Sequence, residues 1–420
     1  MSHSPLAKPT HDVIIFGGGM VGATLACALG QLGLQVALIE AQTPRAYDPA
    51  ADTDLRVSAV SLASEQIFRN LGIWSRFMPE RISAYREMRV WNDHGKITFD
   101  AAEVPCPHLG HIIENNLIQW AAWQVLDDCP EVEQIVPATL TRLHCDERLA
   151  YLQLAGGREL RAPLLVGADG AQSRIRELAG IPSFGWSYDQ QAIVANIRTE
   201  YAHQETAWQR FLPNGPLAFL PLADGRCSIV WSNQKAHAEG LMGLSDGEFC
   251  RALTDALQGV LGFVTEIGPR AAFPLQMRHA RTYIGNRVAL VGDAAHTIHP
   301  LAGQGANLGF MDLAALADVL REANQQRRDL GEPRILRRYE RWRQGDNLRM
   351  AATMDGFYRL FTNQNRWLHW LRNTGLNFTD SSGIIKRQIM RQATGLGGNL
   401  PALAQARSQH ITDRYSQVNS

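Results

Sequence analysis

The chain has 420 residues, 45% of them hydrophobic, enough to bury a sizeable core and to divide into two or three domains. Lys plus Arg and Asp plus Glu both number 41, so no global field attracts nucleic acid, and nucleic-acid binding is set aside. Charge is nevertheless uneven: residues 331–420 hold fourteen basic and six acidic residues, a net of +8, and the remainder carries −8.

Six cysteines, Cys27, Cys106, Cys129, Cys145, Cys227 and Cys250, lie far apart with no CxxC pair, which argues against zinc or dithiol chemistry and against a disulfide reductase. The opening MSHSPLAKPTHD has no apolar secretion core. Together these features predict free thiols in a reducing, cytoplasmic compartment.

The first element is an uncharged run between Asp12 and Glu40, long enough to cross a bilayer. Gly17, Gly18, Gly19, Gly22, Gly30 and Gly33 divide it instead into strand 12–16, helix 20–31 and strand 35–39, a βαβ unit. Gly17, Gly19 and Gly22 fit G-x-G-x-x-G: a tight turn, a close approach of backbone to a pyrophosphate, and close helix packing, with phosphate at the positive helix end. Glu40, at the end of the second strand, is placed to accept both ribose hydroxyls of an adenosine. The turn alone leaves NAD and FAD both open.

Two later runs, LLVGADG at 164–170 and RVALVGD at 287–293, end like the first strand and read as further strands of one sheet. Between them the texture changes to hairpins, with Asn214-Gly215 and Asp224-Gly225 as turns, so residues 183–280 read as an inserted antiparallel domain.

The stretch VGDAAHTIHPLAGQGANLG (291–309) contains Asp293, His296 and His299, zinc's ligand types. Pro300 disfavours helix at His299, and Gly303 and Gly305 break any regular element there, so the two histidines share no helical face and no metal is expected. They are expected to hydrogen-bond the loop. Beyond Gly305, the spacing of Phe310, Leu313, Ala314 and Ala317 predicts a helix whose free N–H groups face whatever the glycines cradle. After Pro333 the chain reads as helical, rich in Arg and large aromatics. The plainer reading packs Trp and Phe inward with Arg to water; the sharper one is a cationic surface for lipid or a partner.

GADGAQSRIR (167–176) and GDAAHTIHPLAGQGANLGFMD (292–312), in order after the glycine turn, resemble the paired motifs of the class A flavoprotein aromatic hydroxylases, the para-hydroxybenzoate hydroxylase fold. The likeness extends over nearly the whole chain, including DLRVSAVSLAS (54–64) and IIENNLIQWAAWQ (112–124), and is greatest to the ubiquinone-biosynthesis hydroxylases. It implies an α/β fold with a Rossmann-like FAD-binding domain (1–75, 110–182 and 281–330), an inserted antiparallel β substrate domain (76–109 and 183–280) and a C-terminal helical region (331–420). It implies that Asp293 binds the ribityl hydroxyls, that Gly292, Pro300, Gly303, Gln304, Gly305, Ala306 and Asn307 form the loop at the isoalloxazine, and that Asp169 and Gly170 lie near the pyrophosphate and the nicotinamide donor's path. Arg56 and Gln119 would contact FAD phosphates or the ribityl chain. A helix N-terminus at the flavin would stabilise the charge of its reduced form.

The implied function is FAD-dependent hydroxylation, by NAD(P)H, O2 and a flavin C4a-hydroperoxide, of the aromatic ring of a polyprenylated phenol or quinol in ubiquinone biosynthesis. The C5 and C6 steps both stay open, with the C6 demethoxyubiquinol step preferred. Phe219, Leu220 and Pro221 are the expected apolar wall over the ring; no catalytic acid or base is named. The resemblance also leaves room for a ubiquinone-biosynthesis complex and for peripheral contact of residues 331–420 with the inner face of the membrane. The rivals are a prenyl-chain reductase on the same fold and a flavin-binding scaffold without turnover.

Overall fold

The computed structural model of the chain describes residues 8–93, 95–103, 106–297, 305–362 and 383–406. Its first sheet has six strands in the order Ile284–Gly285, Val288–Leu290, Leu164–Gly167, Val13–Phe16, Val36–Ile39, Val132–Ile135. All pairings are parallel except that of the short outer strand Ile284–Gly285. The helices Met20–Gly30, Asn115–Leu126 and Gly305–Gln325 share one core with this sheet, as does an antiparallel meander, Leu140–Cys145, Ala150–Leu154 and Glu159–Ala162. Cover on both faces is why the parallel strands read as unbroken apolar runs. Val13, Ile14, Ile15, Leu38 and Ile39 are fully buried, each contributing about 1.5–3 kcal/mol.

The helix Met20–Gly30 is buried from Gly22 onward, which explains its small, apolar composition. A Cβ at Gly30 would lie 2.5 Å from Cys129 Sγ, so the end of this helix leaves no room for a larger residue. Gly33, at φ +77, turns the chain back into the next strand.

The second sheet runs His296–Thr297, Ala271–Ala280, Ser183–Thr199, Cys227–Gln234, Gly215–Pro221, Thr206–Leu212, Glu87–Trp91, Lys96–Asp100, with Val264–Ile267 also paired to Ser183–Thr199. It is antiparallel except where Thr206–Leu212 meets Glu87–Trp91. Both anticipated hairpin turns are present, with Gly215 at φ +138 and Gly225 at φ +84. The helices Lys235–Met242 and Asp246–Ala256, the latter started by a Ser245 and Glu248 capping box, cover one face and close a second core around Trp208, Phe219, Trp231 and Phe249.

A further small sheet, Val57–Ser61, Gly110–Glu114 and Ser83–Tyr85, packs Ala59 and Ile112 against Leu222, in the hairpin turn just beyond the strand Gly215–Pro221. The pattern of apolar runs did not announce it. The basic tail begins with the helix Pro333–Thr362, whose Ile335, Leu336 and Tyr339 are buried in the first core, while Arg334, Arg337, Arg338 and Arg341 face solvent. Arg343 departs from that division and is buried. No helix among the described residues is long and apolar enough to cross a membrane.

Candidate active site

Three strand ends are tied side by side by backbone bonds. Gly17 N donates to Ile39 O at 2.8 Å, Ala168 N to Phe16 O at 2.8 Å, and Val291 N to Gly167 O at 3.0 Å. This aligns the glycine turn, the 167–176 segment and the 292–312 segment along the carboxyl edge of the parallel sheet, where open α/β sheets bind ligands. Gly17 has φ +109, and a Cβ there would meet Ala168 O at 2.5 Å; a Cβ at Gly22 would meet Gly17 O at 1.8 Å. Gly19 differs: among the described residues nothing lies within 4 Å of its Cβ position. Packing requires the first and third glycines; at the second, the described residues leave room that would suit the close approach of a pyrophosphate.

The Gly18 peptide is held from both ends. Its N–H donates to Glu40 Oε2 at 2.6 Å, and its carbonyl accepts from Gln119 Nε2 at 2.9 Å and Trp123 Nε1 at 2.8 Å. Gln119 therefore shapes the turn, together with Trp123, which the motifs did not single out. Its signal was the i,i+4 spacing that puts both side chains on one helix face. Glu40 Oε1 also accepts from Gln42 N at 3.1 Å.

Asp169 lies beside the glycine turn, but its carboxylate caps its own short helix, Arg174–Leu178: it accepts from Ser173 Oγ at 2.6 Å, Arg174 N at 2.6 Å and Ile175 N at 3.1 Å. Burial raises its pKa, and these bonds oppose the rise. The carboxylate thus holds the turn in which the resemblance places Asp169 and Gly170 near a pyrophosphate; the next residue, Gly170 at φ +78, makes that turn. Arg176, at the end of the same motif, donates to Ala294 O at 2.8 Å and Ala171 O at 3.0 Å, stapling the second segment to the third.

In the third segment Gly292, at φ +59, turns the strand end into a single 3-10 turn that carries Asp293. Solvent reaches the Asp293 side chain, yet protein crowds it, and that desolvation raises its pKa against the pull of His296 and Arg56. It accepts no side-chain hydrogen bond from the described residues. A carboxylate so placed fits the hydroxyls of a polyol such as a ribityl chain. Arg56 is exposed nearby, its guanidinium 5.9 Å from the Phe273 ring. Gly309 lets the helix Gly305–Gln325 press on this turn, since a Cβ there would meet Val21 at 2.8 Å and Gly292 Cα at 3.2 Å. The first amides of that helix have no intrahelical acceptor, and Gly305 has open space around it among the described residues.

Ala306 is half-buried in the first turn. The Asn307 side chain is committed to the scaffold: its Oδ1 accepts from Ser61 N at 2.9 Å and Ser64 Oγ at 2.8 Å, and its Nδ2 donates to Ala59 O at 2.8 Å. The side chain bolts the helix to the small sheet and is spent there. Pro300, Gly303, Gln304 and His299 lie outside the described residues.

Asp293 and His296 do not converge. His296 pairs through its short strand with His279 and turns inward to Asp312, Nε2 to Oδ2 at 2.5 Å. Asp312 is fully buried and also accepts from Arg343 Nε at 2.8 Å, Asn347 Nδ2 at 2.9 Å and Gly292 N at 3.2 Å. His296 thus bonds the helix that follows its loop, and through Asp312, which also accepts from Gly292 N, its ring helps to hold the start of that loop. The network fastens the third segment to the tail helix.

An apolar cavity of about 110 Å³ opens between the small and large sheets, lined among others by Val57, Ile112, Met88, Trp208, Ala218 and Leu220. It begins one residue from Arg56. Of the expected wall, Leu220 lines it, whereas strand alternation sends Phe219 to the opposite face, into the second core; Pro221 is buried and does not line the cavity either.

The family model described as an FAD binding domain matches residues 10–345. The chain is 40% identical over 390 residues to 3-demethoxyubiquinol 3-hydroxylase of Escherichia coli (strain K12), covering 93% of this chain and 99% of that protein. It is 37% identical over 433 residues to the mitochondrial ubiquinone biosynthesis monooxygenase COQ6 of Danio rerio, covering 91% and 89%. Among solved structures, p-nitrophenol 4-monooxygenase PnpA from Pseudomonas putida DLL-E4 superposes with a TM-score of 0.76 at 18% identity, covering 94% of this chain and all of that one, a likeness of fold. The chain belongs to the FAD-binding monooxygenase family that includes the ubiquinone-biosynthesis hydroxylases.

Proposed function

We propose that this chain holds FAD at the row of strand ends and hydroxylates the ring of a polyprenylated quinol at the demethoxyubiquinol step of ubiquinone biosynthesis, using O2 and NAD(P)H. The observation that carries the reading is that, among the described residues, the space at Gly19 is open and in line with an Asp293 side chain that accepts no hydrogen bond, with an apolar cavity one residue beyond Arg56. The substrate is inferred from the full-length match to a hydroxylase of that quinol. Gly17, Gly19, the first turn of the helix Met20–Gly30 and Glu40 would hold the adenosine and pyrophosphate; Asp293, Arg56 and the Gly305 helix start would hold the flavin end. Bound flavin supplies hydride acceptance and oxygen activation.

The chain's own task is to orient the ring and exclude water. Val57, Ala59, Ile112 and Leu220 offer only apolar contact, and the cavity is smaller than the roughly 300–1,000 Å³ of ligand pockets, so the ring enters with adjustment of its lining. The exposed arginines of the tail helix are the proposed contact with a membrane surface or a lipid-presenting partner, since the prenylated substrate resides in lipid.

The purified protein, given demethoxyubiquinol, NAD(P)H and oxygen-18 gas, is expected to yield a quinol carrying one labelled oxygen. Unlabelled product with a saturated prenyl bond would instead establish the reductase, and flavin that NAD(P)H leaves oxidised, with no product, would reduce the chain to a scaffold.

A further inference from the structure

Away from the strand ends, Glu65 on the helix Leu62–Asn70 meets His108 and His111, which flank the start of the strand Gly110–Glu114. One ligand atom from each lies within 4.8 Å of the others. Glu65 Oε2 is 2.7 Å from His108 Nε2 and 3.2 Å from His111 Nδ1. The other carboxylate oxygen, Oε1, is taken by Arg69 at 2.8 Å. Trp74 stands over the cluster, its ring 5.0 Å from that of His111 and beneath the Arg69 guanidinium.

The hydrogen bonds do not close. Glu65 and His111 are each only 7% exposed, and His111 Nδ1, despite its proximity to Oε2, has no hydrogen-bond partner among the described residues. Protonated, that nitrogen is a buried donor without an aligned acceptor; bare, it is a buried lone pair aimed at a carboxylate oxygen. Native interiors rarely leave either unresolved. His108 Nε2–H can donate to Oε2, which leaves His111 Nδ1 as the buried atom without an aligned partner; with both ring nitrogens bare, they and Oε2 turn three lone pairs toward one point, the donor set of a cation.

We propose that Glu65, His108 and His111 bind one divalent transition-metal ion of the zinc class, through two imidazoles and one carboxylate oxygen. Donors about 2.0–2.1 Å from a tetrahedral ion lie roughly 3.4 Å apart, so binding requires a rotation of the His108 ring that opens its 2.7 Å contact with Oε2. His108, half-buried in the loop before the strand, can make that rotation and offers the entry path. The fourth position is left to water. Arg69 fixes the carboxylate as a single-oxygen ligand and, being cationic, holds the affinity below that of a closed zinc site. The ion would brace the helix that carries Ser64, a partner of Asn307, against the strand that carries Ile112 of the cavity wall.

The full-length, FAD-loaded protein is stripped with a chelator, then dialysed against zinc and titrated with cobalt(II). One equivalent of zinc is expected, with cobalt visible bands of a low-coordinate nitrogen and oxygen site and a first shell of two imidazoles by X-ray absorption on the unmutated protein. Glu65→Gln and His108→Gln are each expected to weaken binding at least tenfold with flavin content unchanged. Failure of the unmutated protein to bind a stoichiometric ion, a first shell without two imidazoles, or undiminished binding in both folded variants would overturn the proposal. The cobalt spectrum and absorption edge decide the matter even where a variant fails to fold.

Discussion

Replacing Asp312 by Ala is expected to be among the most damaging single changes outside the strand-end motifs. The carboxylate is fully buried and accepts from His296, Arg343, Asn347 and the Gly292 amide. Without it the Arg343 guanidinium, itself buried, keeps only Asp346 at 3.6 Å as a carboxylate partner among the described residues. Breaking a buried pair in this way costs about 3–5 kcal/mol. The same carboxylate dictates an acid limb of stability. Burial alone would raise its pKa, but the charges of His296 and Arg343 and the bonds from His296 and Asn347 outweigh burial and hold it at about 2. A folded pKa below the unfolded value of roughly 3.9 means stability present above pH 4 and lost as pH falls through 2, between about 2 and 3 kcal/mol in all. Chemical unfolding of the unmutated protein and of Asp312→Ala, followed by tryptophan fluorescence at pH 7 and at pH 3, measures both quantities. The variant should be less stable by the stated amount at pH 7 and should lose part of the acid dependence. A variant within about 1 kcal/mol of the unmutated protein would refute the network as a structural link between the Gly292 turn and the tail helix.

Trp123→Phe removes one of two bonds to the Gly18 carbonyl, and with a net value of about 1 kcal/mol for such a bond, FAD should bind roughly fivefold more weakly in a fluorescence titration. Leu220→Trp should fill the cavity, raising KM and diverting NAD(P)H oxidation to hydrogen peroxide while the flavin spectrum stays unchanged. Phe219→Ala, one residue away, should instead cost about 3–5 kcal/mol of stability with little change in KM, because that ring packs in the second core. Reversing the charge of Arg334, Arg337 and Arg341 together should abolish salt-sensitive cosedimentation with anionic liposomes and leave unfolding unchanged. Cutting the chain at 331 cannot make that test, since Ile335, Leu336 and Tyr339 belong to the first core.

What the sequence makes legible here is what is local. The glycine turn, the two strands around it and both hairpins follow from glycine spacing and apolar runs, and the observed elements agree within a residue or two. The ties of the Asn307 side chain are not legible, because they run to Ser61 and Ala59, almost 250 positions away, whereas those of Asp169 stay within six residues of it. Phe219 and Leu220 are equally apolar neighbours in one strand, and the period of two sends them to opposite faces. Asp312 and Arg343 sit in different helices, and nothing in either segment forecasts their pairing. The cluster of Glu65 with His108 and His111 escaped for the same reason, its carboxylate lying 43 residues before the first histidine.

The most direct measurement is the FAD affinity of Gly19→Ala, set beside the thermal stability of its flavin-free form. Gly19 has φ −67, which alanine adopts readily, and no atom of the described residues stands within 4 Å of the added methyl, so the flavin-free protein should unfold as the unmutated one does. FAD should nevertheless bind about tenfold more weakly or worse, a loss of about 1.4 kcal/mol or more. Equal FAD affinity in both proteins would contradict the placement of the dinucleotide against this turn.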